Sequence, residues 1–539
     1  PSILTPSGLI TEDEALAIDL DVIPKLHIRR ETDKFRQKLH SRISDIRELI
    51  SRHLQIPETD FVLYEPSTWI EGGFNVCLSI DINNNRHPHL PPGAVIRFPL
   101  PFNIGESFAP GTVDEKLRCE AATYIWMREN CPCIPLPRLL GMGFPGPHSF
   151  TSVENGTFLN RLCWYLRRVW DWFRDEKTSP YCVHRRSKVT DVGYLLLEWV
   201  ENGKMLFSSW DQHRHDKQRT ANLYRGIART MLELARVPLP RIGSWTMDDK
   251  GVLSLTNRPF FDLTLLWNRH KIPTGISRDT TYTSTESFIH DTISYQEQRM
   301  THQKNSILSV NDGINQLSAL VGLRALLPHF WNQESRNGPF VLSLPDLHAS
   351  NIFVDDDWNI ISLIDLEFAP VVPVQMVQVP HWLSNRGVDQ LDGPEREIYK
   401  QCYDRFVNVL EQEESASSLD LSYSKRLRSE WHTGRLWYVM ALSTINAFPG
   451  IFEQHLQPRF FSAGFRLHVE GAPLSRLWCE DVELFVAKKL EAYEIYKDDV
   501  RGVFAAARCE NDGCVEGGDG GLGEERTSVN VQCEVTQEC

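Results

Sequence analysis

Residues 340–373 read FVLSLPDLHASNIFVDDDWNIISLIDLEFAPVVP. Two apolar runs, 351–354 and 360–364, flank a turn of three aspartates, Trp358 and Asn359, and that pattern predicts a β-hairpin. Asp346 stands in a proline-containing loop before the first strand, Asn351 opens that strand, and Asp365 ends the second. A hairpin returns the chain on itself, so Asn351 and Asp365 meet at one end of it, with Asp346 in the loop leading there. Carboxylate and amide oxygens converging on one point suit Mg2+, a hard cation that takes oxygen ligands. The remaining Asp can accept a proton from an attacking hydroxyl. A metal beside such a base is what phosphoryl transfer needs.

The spacing points the same way. Kinases place the catalytic Asp five residues before a metal-binding Asn, with a metal-binding Asp after a short hairpin. Here Asp346 and Asn351 are five apart, and Asp365 follows fourteen later. On these residues the segment resembles the aminoglycoside phosphotransferase and choline kinase branch of the protein-kinase-like fold, and most of all its large fungal set of phosphotransferase proteins. The resemblance spans about residues 67–380. It implies an α+β, bilobal protein-kinase-like fold: a small N-terminal β-sheet lobe (1–200, with a helical insertion at about 146–190) and a larger, mainly helical C-terminal lobe (201–508). It also implies an ATP- and Mg2+-dependent O-phosphotransferase acting on a small hydroxylated or amino-alcohol metabolite. Asp346 would be its catalytic base, with Asn351 and Asp365 as metal ligands. Leu344-Pro345-Asp346 stands where the family often has His-Pro-Asp or His-Gly-Asp, so the supporting His is missing. Asp365-Leu366-Glu367 resembles the Asp-aromatic-Glu of choline kinases rather than the Asp-Phe-Gly of protein kinases. Glu367 reads either as an auxiliary metal ligand or as a buried structural acid.

Upstream, apolar residues at 74, 76, 78 and 80 alternate with Asn75, Cys77 and Ser79, which predicts a strand. The Gly72-Gly73 turn before Asn75 resembles a nucleotide loop, because two glycines let backbone N–H groups approach phosphates. A second short strand, 94–98, carries Arg97 where a kinase has Lys; Arg stays charged and can grip phosphate with two N–H groups. Glu120, on a helix expected at 114–130, is its natural partner. Glu198 is the one acid in an apolar run, 194–200, that suits a buried strand, and it opens a segment, 198–203, resembling the hinge that meets adenine. Gly72, Gly73, Asn75, Arg97, Glu120 and Glu198 are therefore the expected nucleotide-binding residues. Further helices are expected at 218–237, 314–327 and 477–496. Trp382, Trp431, Trp437 and Phe448 read either as a wall for a cationic acceptor or as core. Arg258-Pro259-Phe260 also matches the family, with no role evident from sequence.

Between 146 and 190 lies an aromatic cluster, Trp164, Tyr165, Trp170, Trp172 and Phe173, among Arg167, Arg168 and Arg174. It reads as an inserted helix packed on its neighbours, or else as a partner or membrane-surface contact. The chain of 539 residues carries a net charge of −14, and no basic run interrupts it, which argues against nucleic acid as a partner. No stretch is apolar enough for a transmembrane span. Twelve cysteines at unpaired spacings, with no secretory signal in view, lead to the expectation of a reducing, cytoplasmic setting. His87 with His89, and His213 with His215, read as solvated surface. Residues 509–539 hold six glycines and eight acids against one arginine, and composition predicts a disordered tail. Two other functions compete: a nucleotide-binding pseudokinase acting as a scaffold, and a protein kinase, which the missing Ala-Pro-Glu segment disfavours.

Overall fold

The alternation at 74–80 builds the centre of an antiparallel sheet. The computed structural model describes residues 2–5, 8–174, 176–185, 191–331, 333–417, 422–460 and 473–512. Strand Asn75–Ile82 pairs with Gly93–Pro99, which pairs with Tyr194–Glu198. Beyond these lie Leu139–Gly143, His148–Ser152 and Tyr181–Arg185 on one side and Phe61–Leu63 on the other, with Ile70–Glu71 also pairing Asn75–Ile82. Successive side chains point to opposite faces. Val76, Leu78, Ile80, Ile96 and Leu196 therefore pack beneath helix Ile43–Leu54 through Ile46, Leu49 and Ile50. The other face carries Cys77, with Arg97 opposite it in register, and Leu195 and Leu197 meet the helix Thr112–Asn130.

The C-terminal part is mainly helical, so the chain is α+β with an N-terminal antiparallel sheet. Helices Lys217–Ala235, Val310–Phe330, Gly393–Ala416 and Arg435–Ser443 share one apolar core with Thr112–Asn130. The expected hairpin forms from Ile352–Val354 and Ile360–Leu363, and Lys204–Met205 adds a third strand. Asp355 makes the turn: its carboxylate accepts the backbone N–H groups of Asp357 and Asn359 at 3.0 and 2.8 Å. Among the described residues no helix is long and apolar enough to cross a membrane.

Several expectations need correction. The 146–190 insertion is not purely helical. Strands His148–Ser152 and Tyr181–Arg185 extend the main sheet, and helix Phe158–Trp172 lies between them. Five-residue strands show too few alternations to stand out beside an aromatic helix. The 1–200 unit is also not self-contained. Ala15, Val22 and Leu26 pack on Tyr496, Val500 and Phe504 of the last helix, Val482–Asp512. That helix begins later than expected, with Asp481 accepting the N–H of Leu484 at 3.0 Å, and it continues past residue 509 to Asp512. The rest of the expected tail lies outside the described residues. Of the two readings open for Trp431, Trp437 and Phe448, the core reading is the one that their burial supports. His87 is not free: its ring lies 2.8 Å from the buried Asp60 carboxylate.

Candidate active site

The hairpin positions the acids. Leu363 pairs with Ile352, and the Ile364 N–H donates to the Asn351 carbonyl at 3.0 Å, which closes the end where Asn351 and Asp365 meet. Asn351 Nδ2 donates to the Asp346 carbonyl at 2.9 Å and to its Oδ2 at 3.3 Å. The amide thus clamps the loop that presents Asp346. His348 Nε2 lies 3.5 Å from Asp346 Oδ1, so a histidine does stand beside the Asp, two residues after it rather than two before. Burial holds the His348 imidazole below its ordinary range, favouring the neutral ring. Asp365 has φ +61°, a left-handed conformation that an Asp side chain tolerates and that collects at functional sites.

Asp346 keeps 34% of its side chain open to solvent. Loss of hydration there raises its carboxyl well above the usual Asp range, and the neighbouring charges of Asp365, Asp262 and Glu367 raise it further.

Behind Asp365 lies an interlocked charge cluster. Arg97 Nη1 donates to Glu120 Oε1 at 2.8 Å and Nη2 to Asp365 Oδ1 at 2.8 Å, and Nη2 lies 3.6 Å from Glu367 Oε2. Lys116, fully buried, meets Glu367 directly, lies 3.6 Å from Glu120 Oε2 and donates to Asn75 Oδ1 at 3.0 Å. Asn75 Nδ2 donates back to Glu367 at 3.0 Å. Burial would raise the Asp365 carboxyl, but Arg97 and then Lys116 outweigh it, and the group stays below its usual value. Glu367 moves the other way: burial raises it, and the Asp365 charge adds to that. Glu120, Asp365 and Glu367 bring one oxygen each within 4.8 Å of one another. Three carboxylates face two cations, so one negative charge is left over when Glu367 is ionised. Hard oxygen donors with surplus negative charge fit a divalent cation such as Mg2+.

The expected residues divide into two groups. Asp346, Asn351, Asp365, Arg97 and Glu120 converge as the spacing suggested. Gly72 and Gly73 form an exposed turn closed by the Gly72 N–H donating to the Asn75 carbonyl at 2.8 Å. A methyl group on Gly73 would meet nothing within 4 Å, so the backbone there is open to a ligand. Asn75 is different: its side chain turns inward and is spent on Lys116 and Glu367, so it positions the cluster instead of facing a nucleotide. The Glu198 side chain is engaged within the protein. Its carboxylate pairs with Arg138, at 3.1 Å from Nε, and its N–H donates to the Arg138 carbonyl at 2.8 Å.

Lys116 and Asp262 were missed. Lys116 is one helical turn before Glu120 inside an apolar stripe, which was the available signal. Arg258 now has a function. Its Nε and Nη2 grip the two oxygens of buried Glu115, each at 2.8 Å, and Arg278 adds a third contact at 2.9 Å. This bidentate pair ties the helix bearing Lys116 and Glu120 to the second part of the chain.

No protein-family model matches the chain, and no curated protein matches it either.

Proposed function

We propose that the chain is an ATP- and Mg2+-dependent O-phosphotransferase on a protein-kinase-like fold, acting on a small hydroxylated or amino-alcohol metabolite. The observation that carries this reading is the convergence of Asp346, Asn351 and Asp365 at one hairpin end, against an Arg97–Glu120 pair delivered by the sheet and its helix. Asp365 and Asn351 hold the metal, and Lys116 and Asn75 fix the Glu367 carboxylate beside them. Bound there, Mg2+ supplies neutralisation of phosphate charge. Asp346 takes the proton from the acceptor hydroxyl as its oxygen bonds to the terminal phosphorus and ADP leaves. Arg97, braced through Nη1 by Glu120, is the cation offered to the phosphates, and the open Gly72–Gly73 turn is the backbone offered to them.

The test is turnover of labelled ATP against a pool of alcohols and amino alcohols. With an accepted substrate, Asp346→Asn should lower kcat by at least about 10²-fold while Mg-ATP binding stays near normal. Unchanged turnover would remove Asp346 from the role of base. One observation favours the pseudokinase reading: Arg97 Nη2 already neutralises Asp365, the carboxylate a metal would need. ATP binding that is the same with and without Mg2+ in calorimetry, together with no turnover, would establish that alternative.

A further inference from the structure

Helix Phe158–Trp172 turns its apolar side away from the protein. Phe158, Leu166, Trp170, Trp172 and Phe173 are each more than three-fifths exposed, at 78, 65, 62, 74 and 73%. At about 100° per residue the exposed apolar positions fill roughly half of the helix circumference. Only the narrow opposite side is anchored. Trp164 is buried and donates through Nε1 to the Ser179 carbonyl at 2.8 Å. Asp171, the one acid in the helix, is buried with it, accepting Thr178 Oγ1 at 2.6 Å and Arg167 Nε at 3.1 Å.

The charge that the helix itself leaves on the outside is therefore positive, with the exposed Glu154 before it and Glu176 after it. Arg161 and Arg168 border one edge of the apolar arc, and Arg174 borders the other. The Arg168 guanidinium sits over the Trp164 ring at 5.1 Å and that of Arg174 over Trp170 at 5.5 Å. In the sequence Asp171 interrupts the arginines and Asp175 and Glu176 follow Arg174; folding withdraws Asp171. An outward apolar arc of Trp, Phe and Leu with cationic margins is the arrangement of a helix lying in a membrane interface. In a protein of net charge −14 this helix carries three arginines against one buried acid beside its apolar face, and an anionic bilayer is complementary in both respects.

We infer that this helix docks the protein on an anionic phospholipid bilayer, lying in the headgroup plane. The test is flotation of the full chain with vesicles of phosphatidylcholine alone and of phosphatidylcholine with phosphatidylserine. Binding should appear with phosphatidylserine and weaken strongly in high salt. Arg168→Gln and Arg174→Gln should each weaken it by roughly fivefold. Leu166→Glu, at an exposed position, should abolish binding without changing the melting temperature; if that variant unfolds, the two Arg substitutions decide. Failure to bind phosphatidylserine vesicles, or binding indifferent to these substitutions, overturns the inference. So does a dimer in sedimentation that Leu166→Glu dissociates while vesicle binding is absent, because the face then belongs to a second copy.

Discussion

Lys116 shows how much one buried side chain holds. Its ammonium is fully removed from water and faces Glu367, Glu120 and Asn75 together. Deleting one partner of a buried pair strands the other charge, which costs about 3–5 kcal/mol. Lys116→Met should therefore lower unfolding free energy by that amount in denaturant titration, and a loss below about 1 kcal/mol would mean the cluster carries little strain. The Arg97–Glu120 pair was legible from the family resemblance, which puts a cation on that strand and its partner on the next helix. Lys116 was not, because lysine is almost always exposed and only packing reveals an exception. Asn75 failed for a related reason. Alternation puts it on the same face as Cys77 and Arg97, but does not say that a helix bearing Lys116 covers that face.

At the level of elements, the short helices near 448–460 carry a built-in response to pH. The His455 ring stacks on Trp437 with centroids 3.7 Å apart, and burial, then Arg396, hold it down at about 4. The folded state thus binds fewer protons than the unfolded chain between the ordinary value of 6.5 and about 4. Stability should be complete above that window and fall as pH drops through it, by up to about 3 kcal/mol from this group. His455→Phe should flatten the loss of urea midpoint between pH 6.5 and 4 relative to the unmodified protein; an identical slope would mean that the ring protonates freely in the fold. The hairpin, by contrast, was readable in advance. Its apolar strands and Asp-rich turn are local signals, and Asp355 completes the turn with contacts no more than four residues away.

Across the whole molecule the two chain ends are joined. The Val22 N–H donates to the Tyr496 hydroxyl at 2.8 Å, and Val500 and Phe504 are wholly buried against Ala15, Val22 and Leu26. Val500→Asp would bury an unpaired charge there. It should cost at least about 2 kcal/mol and expose residues 8–26 to limited proteolysis, while full protection would show the ends to be independently stable. The sequence by itself determined the elements whose signals are local: the central strands, the hairpin, the helix bearing Glu120, and the spacing that brings Asp346, Asn351 and Asp365 together. Each depends on residues close enough for periodicity and turn chemistry to decide. Only the tertiary structure decided that Lys116 completes the charge cluster, that Arg258 anchors Glu115, that Trp431 and Trp437 are core, and that the aromatic helix faces outward. Those outcomes depend on which side of each element another one covers, and burial of that kind is set by contacts that local periodicity does not reach.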